Sequence, residues 1–302
     1  MNVNGATLDA MFLGIKTVFN KAFAATQTEW QEIAMEVPSA AAYENYKWLG
    51  AIPQMKPWVG KKNINKLEKY DYVIKNVPYE ATIEISRDDI EDNQIAGLTI
   101  QADSVGVSAK KHPDQLVYQA VNGAFQNKCF DGQPFFSTSH KVGKETVSNK
   151  GTKKLSAATA AAADASYGAA RRSMLEYVDE TGESLGVVPN ILLVPPALEA
   201  EAKRLINNEK LGDGSENPYR GTAKIVVSGR IKDSNQWFLL DTTKPVKPFI
   251  YQKRKAAQLV RSTSPDSNNV FMEGVYYFGA EARGNSGYGF WQLAYGSTGA
   301  QA

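Results

Sequence analysis

The sequence predicts an α+β fold, and three observations carry that prediction. Tyr79, Ala81, Ile83 and Ile85 alternate with Glu80, Thr82 and Glu84, the period of a strand with one buried face. Apolar residues at Ile95, Leu98, Ala102, Val105 and Ala109 recur at three- and four-residue spacing, which is one stripe of a helix. Residues 270–297 hold eight aromatic residues and six of the 24 glycines, with only three charges, and most of that stretch reads as strand. Helices and strands interleave without a regular strand–helix–strand repeat, which favours α+β over a doubly wound parallel sheet.

Each element follows in order. Residues 1–46 read as a weakly structured arm, with one amphipathic helix over Leu8–Phe23 and a loose, extended stretch from Ala24 to Tyr43. Residues 47–85 read as a long irregular excursion, marked by Trp48, Pro53, Pro57, Trp58 and Gly60, that returns on the strand at Tyr79–Ile85. Its outward limb is too polar to bury itself, so the hairpin projects. Ser86-Arg87-Asp88-Asp89 is a helix start of capping-box type. The helix stripe after it is weakened by Gly97 and Gly106, interrupted at His112-Pro113, and resumes through Leu116–Phe125, giving one long broken helix.

Residues 137–156 read as a polar loop. Ser156 then caps an Ala-rich helix with Ala160, Ala163, Tyr167, Ala170, Met174 and Tyr177 inside. A buried strand at Ile191–Val194, a helix at Ala197–Asn208, a flexible loop at Gly212–Tyr219 and strands at Ala223–Ser228 and Gln236–Asp241 come next. At the end, Gly284-Asn285-Ser286-Gly287 tolerates φ > 0 and reads as the turn of a hairpin between two apolar strands.

Composition narrows the function. Across 302 residues, 34 basic face 32 acidic residues, without the basic excess of a dedicated nucleic-acid binder. One cysteine excludes an internal disulfide, and with two histidines it cannot build a structural zinc site. No secretory leader or membrane span is visible, so the chain reads as soluble and cytoplasmically made. Charge is unevenly spread. Residues 1–46 carry two lysines against five acidic groups, whereas 47–75 carry seven lysines against Glu68 and Asp71.

Candidate chemistry is thin. Cys129 and His140, with Asp131 between them, are the sharpest enzymatic reading, a thiol nucleophile with a histidine base of a hydrolase. Against this, the lone thiol sits beside an Asp131-Gly132 turn, where a structural cysteine is the simpler account. Gly284, Gly287 and Gly289 match no phosphate-binding spacing. Asp88 and Asp89 suit a helix N-terminus. The Lys/Trp segment 47–75 could bind single-stranded nucleic acid by charge and stacking, but a solvated loop whose aromatics pack on a partner fits the neutral remainder better. No catalytic residue, metal or cofactor is expected. Trp48, Trp58, Lys61, Lys62 and Lys66 are the candidate inter-subunit contacts.

Four stretches carry a family likeness: SRDDIEDNQ (Ser86–Gln94), CFDGQPFFSTSH (Cys129–His140), RKAAQLVRSTSPDS (Arg254–Ser267) and the terminal string from Asn268 to Ser297. In that order they resemble the major head subunit of Mu-like phages and prophages. The resemblance implies the Hong Kong 97-type capsid fold. Its parts map as an N-terminal arm (1–46), an extended hairpin loop (47–85), a peripheral domain with a spine helix and long strands (86–136 and 246–302) and an axial domain (137–245). The poor helix between Gly97 and Gly106 suggests a kinked spine. The implied role is a self-assembling structural protein, forming pentamers and hexamers of an icosahedral head around double-stranded DNA held without sequence specificity. Implied partners are further copies, a separate scaffold protein, a portal and a decoration protein, with no membrane. Assembly is expected in the host cytoplasm, with no appended protease or scaffolding domain.

Overall fold

The structure, a computed structural model, describes residues 4–50, 71–92, 94 and 97–301. Helix α1 (Gly5–Ala25) starts where Asn4 Oδ1 accepts the Thr7 N–H at 2.9 Å, and it buries Leu8, Ile15, Phe19 and Ala22 on one face. The expected Leu8–Phe23 helix is therefore present and longer. The arm beyond it is not loose. A single turn, α2 (Trp30–Ile33), is fixed by Glu29 and Trp30 N–H groups that both donate to Asp114 at 2.9 Å. Strand β1 (Ala34–Pro38) then pairs in parallel with residues 249–253. Trp30, Ile33 and Ala34 are buried there, so core contacts tie down a stretch that looks like a mixture in sequence.

Strands β2 (Tyr43–Asn45) and β3 (Val73–Lys75) form an antiparallel stub at the base of the 47–85 excursion. Trp58, Lys61, Lys62 and Lys66 lie outside the described residues. Strand β4 (Val77–Ser86) is the expected return, and Ser86 Oγ accepts the Asp89 N–H at 3.0 Å to cap α3 (Arg87–Glu91), as the local sequence requires.

Helix α4 (Leu98–Gly123) corrects the expected break at His112-Pro113, for it runs through Pro113 without interruption. An internal proline removes a hydrogen bond and costs about 3 kcal/mol. Asp114, Leu116, Val117, Tyr118, Ala120 and Val121 bury immediately after it, and that packing holds the helix together. Gly106 is where α1 crosses. A Cβ there would lie 2.7 Å from the Phe19 carbonyl oxygen and 2.9 Å from Ala22 Cβ.

The 137–156 segment is less loop-like than expected, with the hairpin β5 (His140–Val142) and β6 (Glu145–Val147) followed by β7 (Lys150–Lys153). The Ala-rich helix is capped by Thr159 rather than Ser156, because Thr159 Oγ1 is the group that accepts the Ala162 N–H, at 3.1 Å. It runs as α5 (Ala160–Ala163), one wide turn over Asp164–Gly168, and α6 (Ala169–Leu175). Ala163, Tyr167, Ala170, Met174 and Tyr177 are buried as expected, while Ala160 is exposed. Strand β8 (Ile191–Val194), helix α7 (Glu199–Asn207), β9 (Lys224–Val227) and β10 (Trp237–Leu240) follow close to their expected places.

Two long strands, β11 (Phe249–Ser262) and β12 (Val275–Tyr288), and a final strand β13 (Ala294–Gln301) close the chain. The expected hairpin turn at Gly284–Gly287 instead lies inside β12, near its C-terminal end, which pairs with β11 through Gly284, Asn285, Ser286 and Gly287. These glycines serve close approach. A Cβ at Gly284 would lie 2.5 Å from the Gln252 carbonyl oxygen, and one at Gly287 would run into the Ile74 side chain. The real reversal lies between Ser262 and Val275, where Gly274 takes φ 66°.

Strand pairing gives a four-stranded sheet in the order β1-β11-β12-β4 and a five-stranded sheet in the order β7-β13-β10-β8-β9. Strand β13 thus leaves β12 and joins the sheet built from residues 150–240, so 294–301 do not share the sheet of the rest of 246–302. The sequence 290–294 drives this crossing, since Phe290, Trp291, Leu293 and Ala294 all sink into the larger core. Helix α4 spans both cores. Leu98 and Ala102 lie in the smaller one with Leu8, Ile83, Val270 and Phe278, while Leu116 through Ala124 lie in the larger. No described helix is long and apolar enough to cross a membrane.

Candidate assembly surface and the buried Cys129 cluster

The fold does bring Cys129, Asp131 and His140 together, with thiol, carboxylate and ring nitrogen within 4.8 Å of one another. The Asp131-Gly132 turn does this, with Gly132 at φ 80° folding Cys129 N–H back onto the Gln133 carbonyl. His140 Nδ1 meets Asp131 Oδ2 at 2.6 Å, and Asp131 Oδ1 accepts the Gln133 N–H at 3.0 Å and the Cys129 S–H at 3.2 Å. His140 Nε2 faces the Phe135 carbonyl at 3.3 Å and Asn149 Oδ1 at 3.2 Å, and its ring stacks on Trp291 with centroids 4.1 Å apart.

This arrangement is a latch. Burial, reinforced by the adjacent Asp131 charge, pushes the Cys129 thiol well above the ordinary thiol range, the reverse of what a nucleophile or thiolate ligand needs. Burial also opposes the Asp131 charge, but the His140 hydrogen bond and charge, with the Gln133 N–H and Cys129 S–H, outweigh it and hold the carboxyl below its usual range. Both histidine nitrogens already have partners, so no open ligand position remains. In the folded protein Cys129 is expected to resist an aromatic disulfide reagent and to react fully only in denaturant. Rapid stoichiometric labelling of the native chain would contradict the latch.

Asn149 is the residue that sequence reading missed. It is fully buried, donates through Nδ2 to the carbonyls of Phe135 at 2.8 Å and of Trp291 and Ala294 at 3.2 Å, and accepts the Ser137 N–H at 2.9 Å. It ties the 129–140 loop to the start of β13. An asparagine inside a polar stretch carries no sequence signal of that role.

The candidate contact residues fare differently. Trp48 is half-buried, its ring 6.0 Å from Tyr46 and 6.2 Å edge-on from Phe290, so part of its surface is used within the chain. The base of the excursion is held by a buried polar network. Tyr46 OH donates to Gln252 Oε1 at 2.8 Å, and Gln252 Nε2 donates to Asn76 Oδ1 at 2.8 Å and the Ile74 carbonyl at 3.0 Å. Asn76 Nδ2 reaches Ser39 Oγ at 2.7 Å. Elsewhere, large apolar side chains are open to solvent over the smaller core: Phe271 is 79% exposed, Ile100 71%, Met272 69% and Leu13 65%. Sequence reading did not single these out, though Phe271-Met272 after Asn268-Asn269 was a visible signal.

The chain matches the family model described as Mu-like prophage major head subunit gpT over residues 8–167, 155–231 and 228–301. It is 28% identical to the Mu-like prophage FluMu major head subunit of Haemophilus influenzae and to the major capsid protein of Escherichia phage Mu. Each alignment covers 97% of this chain and 74% of the relative. Among solved structures it is similar to a chain of the bacteriophage JBD30 procapsid, with TM-score 0.59 and 26% identity over 98% of this chain and 76% of that one. The chain belongs to the Mu-like prophage major head subunit family and has the Hong Kong 97-type fold of phage capsid proteins.

Proposed function

We propose that this chain is the major capsid subunit of a Mu-like phage head and that its copies close into pentamers and hexamers of an icosahedral shell around double-stranded DNA. The observation that carries the reading is alignment of 97% of the chain with head and capsid subunits. The family is structural and not enzymatic, so neither a Cys129/His140 hydrolase nor a single-strand-binding role for 47–75 is favoured. The subunit is a virion component that assembles with itself.

In this reading the four-stranded sheet and α4 form the peripheral unit, and the five-stranded sheet forms an axial unit that meets its copies in a capsomer. Scaffold, portal and decoration protein are separate chains, and the shell assembles in the bacterial cytoplasm. Heterologous contacts that close into rings suit a chain with large apolar side chains left exposed among the described residues. A charge balance near zero limits repulsion among many copies. Electron microscopy of particles from cells expressing the chain with its head genes tests the reading; a chain that stays monomeric and is absent from particles would overturn it.

Trp48, Trp58, Lys61, Lys62 and Lys66 are the proposed contacts of the 47–85 hairpin with a neighbour, the lysines facing an acidic arm. Reversing Lys61, Lys62 and Lys66 to Glu is expected to lower the assembled fraction roughly three- to tenfold, more at low salt, because three exposed pairs are each of modest worth. Sedimentation reads the assembly, and circular dichroism confirms that the monomer is folded. An unchanged assembled fraction at every ionic strength would leave only the tryptophan contacts.

A further inference from the structure

Where α1 meets α4, the two helices leave a group of cations with little to oppose them. Phe19 and Ala22 of α1 lie against Gly106 of α4. Within five residues of that contact, about 8 Å along either helix axis, stand Lys16, Lys21, Lys110 and Lys111 against Asp103 alone. Lys16, Lys21 and Lys111 are exposed. Lys110 is half-buried, with its Nζ 4.9 Å from the centre of the Phe23 ring, a contact that steadies the ammonium and leaves its charge in place. The other acidic groups of the two helices are engaged elsewhere. Asp9 pairs with Arg261 at 2.7 Å, and buried Asp114 accepts the Glu29 and Trp30 N–H groups. Among the described residues the lysine salt bridges belong to Lys203, Lys224, Lys253 and Lys255, none of them at this contact.

The far side of the same unit has the opposite character. Ile83 and Ile85 of β4 are buried beneath the helices with Leu8, Leu98 and Ala102. The alternating Glu80 and Glu84 therefore emerge on the other face of the sheet, both exposed. Glu281, opposite Glu80 in the register, shares that face and is paired with Lys255 at 2.9 Å. With Arg283 also there, three acidic residues meet two basic ones. The long-strand unit is thus two-sided, basic on its helices and weakly acidic on the sheet face away from them.

We propose that the α1–α4 surface is the side of the subunit turned toward the enclosed double-stranded DNA, with Lys16, Lys21, Lys110 and Lys111 lying against its phosphates. A closed shell has one face toward a polyanion and one toward solvent, and the Coulomb energy favours the basic face inward. Lysine suits the task, since an ammonium on a flexible stem meets a phosphate without requiring a particular base or a fixed register. Leu13 and Ile100 are also exposed on these helices, but both lie on the N-terminal side of the contact, whereas Lys21, Lys110 and Lys111 lie on its C-terminal side. The cations are therefore not the rim of an apolar seat for a protein segment. The proposal rests on the chain being a capsid subunit around DNA, and it adds which face is the lumen and which side chains meet the phosphates.

The test acetylates lysines in intact parent particles with a small active ester and maps the product by mass spectrometry, first on DNA-filled particles and then on the same particles after DNA release. Lys16, Lys21, Lys110 and Lys111 are expected to react about fivefold or more slowly while DNA is present, with Lys255 on the far face unchanged. Equal reactivity in the two states would overturn the contact, and equal protection in both would assign the face to a protein neighbour instead. Lys16→Gln, Lys21→Gln, Lys110→Gln and Lys111→Gln together are expected to leave shell yield at the parent level. Those particles are expected to lose DNA on warming about threefold faster than the parent, with the gap narrowing as salt is raised. The four corresponding Lys→Arg changes should keep the parent rate. A glutamine variant that holds DNA as the parent does, or an arginine variant that fails with it, would overturn the role of charge. A glutamine variant without shells would place these lysines between subunits and overturn the proposal. A parent chain that forms no particles at all would overturn the capsid reading itself.

Discussion

Replacing His140 with alanine is expected to cost about 3–5 kcal/mol of folding stability, combining the loss of a hydrogen-bond partner to a buried carboxylate with the cavity left by a buried ring. The reason is what it leaves behind. Asp131 keeps the Gln133 N–H and the Cys129 S–H but loses the 2.6 Å contact that most favours its charge, in a place where its side chain is 7% exposed. Trp291 loses its stacked partner, and a void opens between Phe135 and Asn149. The more conservative Asp131→Asn is expected to cost about 1–3 kcal/mol, the cost of a poorly satisfied buried polar group. Urea titration followed by tryptophan fluorescence reads both. Midpoints equal to that of the parent would show that the cluster holds nothing.

The same pair sets a pH dependence with a definite sign. The Asp131 carboxyl is depressed below its ordinary value of 3.8, so the folded state binds the proton less readily than the unfolded chain. Its contribution is therefore fully present above the ordinary value and is lost as pH falls through the folded one. Parent stability should decline more steeply than that of Asp131→Asn on titration below about pH 4, and the two curves should converge in strong acid. Parallel curves would sink the assignment.

What the sequence made legible is what local rules govern. The alternation of Tyr79–Ile85 and the Ser86 cap survive intact because a strand's period and an N-cap hydrogen bond depend on neighbours within a few residues. Three turns of one kind were only partly legible. Gly132, Gly182 and Gly214 take φ 80°, 84° and 84°, each closing a tight reversal, and the last orders the 212–219 stretch that reads as a flexible loop. The glycines of β12 misled because a turn and a close approach require the same residue, and only the position of Gln252 and Ile74 tells them apart. Asn149 was invisible because its partners, Phe135, Trp291 and Ala294, come from two distant segments. The capsid assignment was legible through whole-chain likeness, whereas the basic surface where α1 meets α4 needed the packing of two helices distant in sequence.

Gly106 is where sequence and structure predict opposite signs. By helix propensity alone, a larger residue in the middle of α4 should stabilise the chain, since glycine costs about 1 kcal/mol relative to alanine in a helix interior. The packing reverses this. With the Phe19 carbonyl 2.7 Å and Ala22 Cβ 2.9 Å from where a Cβ would sit, any side chain must force α1 away from α4. Gly106→Leu is expected to destabilise by about 1–3 kcal/mol, the usual cost of overpacking, with the loss concentrated in α1. Gly14 is the control: it is exposed in the middle of α1, and a Cβ there meets nothing within 4 Å. Gly14→Ala should therefore follow propensity and stabilise by about 0.5–1 kcal/mol. Hydrogen exchange of α1 amides with urea midpoints separates the two cases. If Gly106→Leu matched or exceeded the parent in stability, the close crossing of α1 on α4 would be wrong. The two helices would then have to lie farther apart, and the arm would be held by the Asp114 bonds, the buried Trp30 and Ile33 and the β1 pairing with β11.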